Sequence, residues 1–95
     1  MHARVILGKV QLNKQDEAIN IYKESIVPAA KEQKGFKSIN LLTDPDTNKF
    51  ISITYWETEN DMIASESSGY MQEQLGKIVT LFVGPPIIQN YIVSH

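Results

Sequence analysis

The sequence contains no cysteine, and its only two histidines, His2 and His95, lie at the two chain ends. The lack of cysteine excludes disulfides, a thiolate nucleophile, cysteine-ligated zinc and iron–sulfur clusters. The lack of an internal histidine excludes a Ser–His–Asp triad and a histidine-ligated metal within the fold. We therefore expect no metal site and no bound cofactor.

Other features of common functional classes are also missing. No apolar run approaches the roughly 20 residues of a membrane-spanning helix. A net charge of −2 argues against nucleic acid or an anionic membrane as the main partner. The carboxylates show neither metal-binding nor glycosidase spacing, and there is no glycine-rich phosphate loop. With 42% hydrophobic and 21% charged residues, the composition predicts one globular domain over residues 1–95, and we expect a cytoplasmic protein.

The run at residues 50–58 (Phe-Ile-Ser-Ile-Thr-Tyr-Trp-Glu-Thr) contains the only tryptophan. Its β-branched and aromatic residues are typical of a strand. Alternation gives the strand two faces, one with Ile51, Ile53 and Tyr55 and the other with Phe50, Ser52, Thr54 and Trp56. Neither face is polar enough to lie against water, so we expect both to be covered.

Hydrophobic spacing and turn residues predict the other elements. We expect further strands at residues 4–13, 36–42 and 87–93, helices at 14–34 and 59–82, and a hairpin loop at 43–49. Pro28 predicts a kink or reset near Val27, and Gly35 a left-handed helix stop. Thr58 and Asp61 resemble a capping box, and Ser67–Gly69 predicts a break in the second helix.

The order strand–helix–strand, repeated twice, predicts an α+β fold of the ferredoxin-like βαββαβ type. This fold has a four-stranded, mainly antiparallel sheet with two helices on one face. The other face would then expose a large apolar patch formed by Val5, Leu7, Ile51, Ile53 and Tyr55. Monomers rarely expose such a patch, so we predict a homodimer with the sheets packed face to face.

Two short segments indicate a family. Trp56-Glu57-Thr58 ends the third strand, and Pro28-Ala29-Ala30 precedes Gly35-Phe36. Over essentially all 95 residues the chain resembles the antibiotic-biosynthesis-monooxygenase-like domains of the dimeric α/β-barrel superfamily. The resemblance implies a pocket between sheet and helices in each protomer. It also implies a cofactor-independent oxygenase acting on a small aromatic or quinol-like molecule.

The same group includes haem-degrading enzymes, and the sequence departs from their pattern. That branch carries an asparagine on the first strand and, on the second helix, a tryptophan followed by a histidine ligand. Aligned on Trp56-Glu57-Thr58, these positions fall near Gly8, Ser65 and Leu75. None of the three matches, so we expect no haem breakdown of that type.

The candidate site residues each have two interpretations. Trp56 could stack on a flat substrate and donate its indole N–H, or simply pack at a strand end. The small polar residues of the two hairpin strands could face a ligand or be solvated or paired across strands; they are Ser38, Asn40, Ser52 and Thr54. Tyr22, on the inward stripe of the first helix, could reach the pocket or belong to the core.

Two further residues have weaker signals. Arg4, the only arginine, is the only candidate for bidentate binding of a carboxylate or oxyanion, or it is a solvated charge. Tyr70, beside the predicted break, could act as a mobile lid residue.

Three functions remain open at this level. The first is a cofactor-independent monooxygenase, or an isomerase-like relative, acting on a small hydrophobic or aromatic molecule. The second is a non-catalytic dimeric module that binds a small ligand or a partner, consistent with the lack of a usable catalytic dyad. The third is a structural interaction domain whose inner faces are fully packed.

Overall fold

The computed structural model describes all 95 residues and has the predicted order of strands and helices. The elements are β1 (His2–Lys9), α1 (Gln15–Ile21), a π-helical turn (Tyr22–Ile26), α2 (Val27–Lys31), β2 (Phe36–Asp44), β3 (Lys49–Trp56), α3 (Glu59–Ser67), α4 (Tyr70–Gly76), a 3-10 turn (Val79–Leu81) and β4 (Ile87–Ile92). The four strands form one sheet in the order β2-β3-β1-β4, with every neighbouring pair antiparallel. The predicted ferredoxin-like α+β fold is confirmed, with an open sheet.

The first helical region is interrupted where Pro28 requires it. α1 passes into a π-helical turn at Tyr22, and α2 restarts at Val27. Because Pro28 has no backbone N–H, the regular α-helical hydrogen bonds cannot continue through it. The predicted reset near Val27 is therefore present. The helix ends at Lys31, earlier than predicted, and Gly35 (φ 79°) lies in the turn that follows.

The second helical region begins and breaks at the predicted places. Thr58 Oγ1 accepts the backbone N–H of Asp61 at 3.1 Å and so caps α3. The break is formed by a left-handed Gly69 (φ 88°), which precedes the first residue of α4, Tyr70. Ser68 accepts the Tyr70 N–H at 3.4 Å, so a serine assists this helix start although glycine occupies the cap position.

Turns set the ends of the strands. The prediction that β1 reaches residue 13 is too long: the strand ends at Lys9, and beyond it Val10 forms an isolated bridge to Phe82. The β2–β3 turn is shorter than the predicted loop because the paired strands extend to Asp44 and Lys49. Asp44 Oδ1 accepts the Asp46 N–H at 3.0 Å, which stabilises this turn.

Alternation along β3 divides the sheet as predicted. Phe50, Ser52, Thr54 and Trp56 are all buried on the face toward the helices. In β1 the residues that pair with them are Gly8, Ile6, Arg4 and His2. The two hairpin strands and β1 therefore form the inner wall of the domain.

The core lies between this inner face and the helices. Aromatic contacts in the core join Tyr22 to Phe50 and Phe50 to Phe82, with ring centroids 5.8 Å and 5.7 Å apart. Gly8 is required here because a Cβ at this position would lie 2.6 Å from the Phe82 ring. The ring therefore fills the space that a side chain at position 8 would need.

The opposite face of the sheet is not covered by any helix. It contains Val5, Leu7, Ile51, Ile53 and Tyr55, which are only partly buried, and it continues into Leu42, Ile87 and Tyr91, which are about half exposed or more. We refer to these eight residues as the open apolar face. None of the helices has the length and apolar character needed to cross a bilayer.

Candidate functional site

A small cavity lies between the inner face of the sheet and α4. Its volume is about 50 Å³. A cavity that holds benzene measures about 150 Å³, so in this conformation the space admits water-sized molecules only. Hydrophobic side chains form most of its wall, and the polar side chains that border it are Arg4, Tyr22, Ser52, Thr54, Tyr70 and Gln74.

Tyr22 and Ser52 form one polar side of the cavity. Their hydroxyl oxygens are 2.6 Å apart, and the Tyr22 hydroxyl also lies 3.4 Å from the backbone carbonyl of Asn40. Burial raises the pKa of Tyr22 to about 12, although the hydrogen bond to Ser52 opposes this shift. Tyr22 is therefore a neutral hydrogen-bonding group at neutral pH. Among the candidate residues, Tyr22 and Ser52 both border the cavity and contact each other.

Trp56 lies beside the cavity and does not border it. The indole is fully buried, and its N–H donates to Thr54 Oγ1 at 2.9 Å. The ring also meets Phe36 edge-on, with centroids 6.1 Å apart. Because the indole N–H is already paired, Trp56 packs and orients Thr54, while Thr54 itself borders the cavity.

Ser38 and Asn40 do not join the other candidates. Both side chains are exposed, and their partners in β3 are Tyr55 and Ile53 on the open apolar face. A β-bulge between Phe36 and Ser38 shifts the alternation of β2, so that Phe36 pairs with buried Trp56 while Ser38 turns away. Both residues contribute instead to a wide groove beside β2.

Arg4 is buried beneath α3. The alternative that it is a solvated surface charge is therefore wrong. Only 2% of the residue is exposed, and Nη2 donates to Met62 O at 2.7 Å and to Ser65 Oγ at 2.6 Å. Nε lies 3.5 Å from Glu66 Oε1, in ion-pair range but without a hydrogen bond. The guanidinium also lies 5.4 Å from the centre of the Trp56 ring, where a cation–π contact is favourable.

α4 covers the cavity with Tyr70 and Gln74. Burial raises the pKa of Tyr70 to about 12, and the neighbouring Arg4 charge lowers it in part. Gln74 is 7% exposed and accepts a hydrogen bond from Lys77 Nζ at 2.9 Å. The hydrophobic spacing of this helix did not identify Gln74, because a buried glutamine on a short helix cannot be distinguished from a solvated one by periodicity.

The site has a limited chemical repertoire. No three or more His, Cys, Asp or Glu side chains converge in a way that could hold a metal ion. Arg4 is the one charged residue that borders the cavity, and the other polar groups are hydroxyls and an amide. These groups can donate hydrogen bonds and stabilise an anion, but none is a general base at neutral pH.

Solved structures with the same fold have very different sequences. SnoaB, a cofactor-independent oxygenase from Streptomyces nogalater, superposes with a TM-score of 0.82 at 14% identity over 99% of this chain and 93% of that one. A candidate antibiotic biosynthesis monooxygenase from Nitrosomonas europaea gives 0.80 at 12% identity over the full length of both chains. A similarly described protein from Deinococcus radiodurans gives 0.80 at 11% identity, covering 100% of this chain and 94% of that one. At these identities the likeness shows the fold alone.

No curated protein matches this sequence. The model of the family described as antibiotic biosynthesis monooxygenase matches residues 1–75, which include β1 to β3, α1, α2, α3 and most of α4. The chain therefore belongs to the antibiotic biosynthesis monooxygenase family.

Proposed function

We propose that this protein is a cofactor-independent monooxygenase that oxidises a small aromatic, quinol-like molecule in the cavity between sheet and α4. The observation that carries the proposal is the composition of this cavity. Hydrophobic side chains form most of its wall, while Arg4, Tyr22 and Ser52 supply a cation and hydroxyl groups. Such a site suits a flat, largely apolar molecule with a few polar atoms. Family membership supports the same reaction class.

The reaction needs no cofactor if the substrate supplies the electrons. An electron-rich phenol that loses its proton carries negative charge on a ring carbon, and this carbanion can reduce O2 and join it as a hydroperoxide. Protonation and loss of water then leave a carbonyl at that carbon. One oxygen atom enters the product, the other enters water, and the substrate provides all four electrons.

The protein's contribution would be confinement and charge stabilisation. The neutral hydroxyls of Tyr22 and Tyr70 can donate hydrogen bonds to oxygen atoms of the substrate or of the hydroperoxide. Arg4 can stabilise the negative charge of the ionised phenol. Hydrophobic neighbours exclude water, which strengthens these interactions.

Entry of an aromatic ring requires the cavity to enlarge. Its volume of about 50 Å³ is below what a ring needs, and α4 is the element that covers it. This helix is only seven residues long and is separated from α3 by the left-handed Gly69. Outward movement of α4 around Gly69, carrying Tyr70 and Met71, is the route of entry in our proposal.

The proposed working form is a homodimer joined through the open apolar face, and we place it in the cytoplasm. A second copy would remove Val5, Leu7, Ile51 and Ile53 from water, as the size of the patch favours. Two open sheets packed in this way complete the dimeric α/β barrel expected from the sequence.

Oxygen uptake with product analysis tests the proposal. The protein is mixed with a panel of quinols and polyphenols, with buffer alone as the autoxidation control. We expect uptake above the control for at least one compound, with the product gaining one oxygen atom. If the whole panel remains at the autoxidation rate, the oxygenase proposal fails.

One observation favours a second candidate, a dimeric module that binds a small ligand without turnover. No carboxylate and no histidine borders the cavity, so the site has no general base. A panel compound that raises the melting temperature but is recovered unchanged under oxygen would support this alternative.

A further inference from the structure

Arg4 is the one buried charge that borders the cavity, and its environment neutralises that charge only in part. Two hydrogen bonds engage Nη2, and both acceptors, Met62 O and Ser65 Oγ, are uncharged. The nearest carboxylate, Glu66, lies 3.5 Å from Nε without a hydrogen bond, and its side chain is 26% exposed. A buried cation whose one counter-ion is partly solvated and makes no hydrogen bond to it retains a capacity to bind an anion.

The guanidinium also has donors left over. Nε is buried with no hydrogen-bond acceptor, and none of the hydrogen bonds in the chain involves Nη1. Orphaned donors of this kind are uncommon in a folded protein and cost free energy unless a ligand or water pairs with them. Nε lies against its counter-ion Glu66, so Nη1 is the donor that remains for a ligand in the cavity that Arg4 borders.

The remaining titratable groups around Arg4 cannot remove a proton from a substrate. Glu66 on α3 is the counter-ion and does not border the cavity. Tyr70 on α4 and Tyr22 on the π-helical turn both have pKa values raised to about 12, so they are protonated at neutral pH. The cavity therefore holds no side chain that would accept a proton from a neutral substrate at neutral pH.

We infer that Arg4 is the anion-binding residue of this cavity, and that the protein selects substrates that arrive already ionised, as phenolates or enolates of acidic oxygen compounds. This inference rests on the proposed function for its reaction but concerns binding alone. Arg4 would pair with the substrate oxygen anion through Nη1, which makes no hydrogen bond in the free protein. Neutral aromatic molecules of the same size would bind more weakly because the guanidinium then stays unpaired.

A coloured phenol that is not itself oxidised provides the test. The probe is 4-nitrophenol, which ionises near neutral pH and changes colour when it does so. In the presence of excess wild-type protein we expect its apparent pKa to fall by about one to two units, because a cation a few ångströms away favours the anion by that amount. This shift corresponds to phenolate binding about 10- to 100-fold tighter than the phenol.

Three variants distinguish an effect of the Arg4 charge from an effect of any change in the net charge of the protein. Arg4→Met removes the cation and is expected to abolish the shift. Glu66→Gln keeps Arg4 but removes its counter-ion, so the fall in the pKa of the probe is expected to be larger. This variant remains informative even if the fold does not tolerate a change at position 4. Glu73→Gln makes the same charge change at an exposed site on α4 outside the cavity and is expected to match wild type.

The inference is overturned if wild-type protein leaves the pKa of the probe unchanged, or if Glu66→Gln and Glu73→Gln behave alike. Oxygen uptake is measured separately with the quinol panel. A probe shift without oxygen uptake would keep Arg4 as the anion site and remove the oxygenase proposal. Oxygen uptake without a probe shift would support the oxygenase proposal and remove Arg4 as the anion site.

Discussion

Tyr22 and Ser52, 30 residues apart in the chain, share a hydrogen bond of 2.6 Å that joins the π-helical turn to β3 at the cavity wall. Both residues are largely shielded from water, with 3% and 9% of their surface exposed. The pair thus provides both a tertiary link and a polar edge for the cavity. The π-helical turn that contains Tyr22 exists because Pro28 interrupts the regular helix.

Replacing Tyr22 with phenylalanine should destabilise the fold. The ring contact with Phe50 is retained, but Ser52 Oγ loses its partner, and a buried hydroxyl without a partner costs about 1–2 kcal/mol. Urea denaturation measures the change. Ser67→Ala is the control, because it removes an exposed hydroxyl that donates only to the Ala64 carbonyl of its own helix. Equal midpoints for the two variants would show that the Tyr22 bond does not stabilise the fold.

The raised pKa of Tyr22 predicts a loss of stability in alkali. The folded protein keeps the phenol proton up to about pH 12, whereas the unfolded chain releases it near pH 10. Stability is therefore constant below pH 10 and falls as the pH rises toward 12, by about 2–3 kcal/mol for this group at 1.36 kcal/mol per unit. Denaturation between pH 9 and 12 should show this slope, and Tyr22→Phe should reduce it, leaving the part that comes from Tyr70, whose pKa burial also raises. A slope that is unchanged in the variant would contradict the assignment.

Adding a methyl group at position 8 should disturb the core. The Cβ of Gly8→Ala would meet the Phe82 ring at 2.6 Å, so the ring must move, and overpacking of this kind costs about 1–3 kcal/mol. Gly76→Ala is the control, since nothing lies within 4 Å of a Cβ there and alanine favours the helix. Thermal unfolding of both variants checks the prediction. A Gly8→Ala protein as stable as wild type would show that the ring relaxes freely.

A charge on the open apolar face should prevent dimerisation. Ile53 pairs with Val5 near the middle of this face, and a carboxylate there would be buried without a partner in the dimer. We expect wild type to sediment as a dimer at micromolar concentration and Ile53→Glu as a folded monomer. Leu12→Glu, at a position 77% exposed and outside the face, should remain dimeric. A monomeric wild-type protein would refute the proposed interface.

The sequence predicted those features of the fold that depend on one physical rule acting among neighbouring residues. Alternation placed Ile53 and Thr54 on opposite faces of β3, and the chemistry of Thr58 and Pro28 located a helix cap and a helix reset. Each of these signals depends on a few neighbouring residues. The fold could therefore be predicted almost completely from the chain.

The site could be predicted only in part because it depends on tertiary pairing. The bulge after Phe36 turns Ser38 and Asn40 away from Ser52. No residue type in that segment predicts a bulge. Arg4 had no local signal that distinguished a buried from a solvated charge. Its burial follows from the sheet, which places it opposite Thr54 and beneath α3.

Oxygen consumption by cavity-blocked protein tests the central claim most directly. Met71→Trp places a large side chain at the cavity, and Leu12→Trp places the same side chain on an exposed turn. With the best substrate of the quinol panel, we predict uptake by wild type and Leu12→Trp and a loss of at least about tenfold in Met71→Trp, since a ring can no longer enter. Uptake by Met71→Trp at the wild-type rate would contradict the assignment of this cavity as the site.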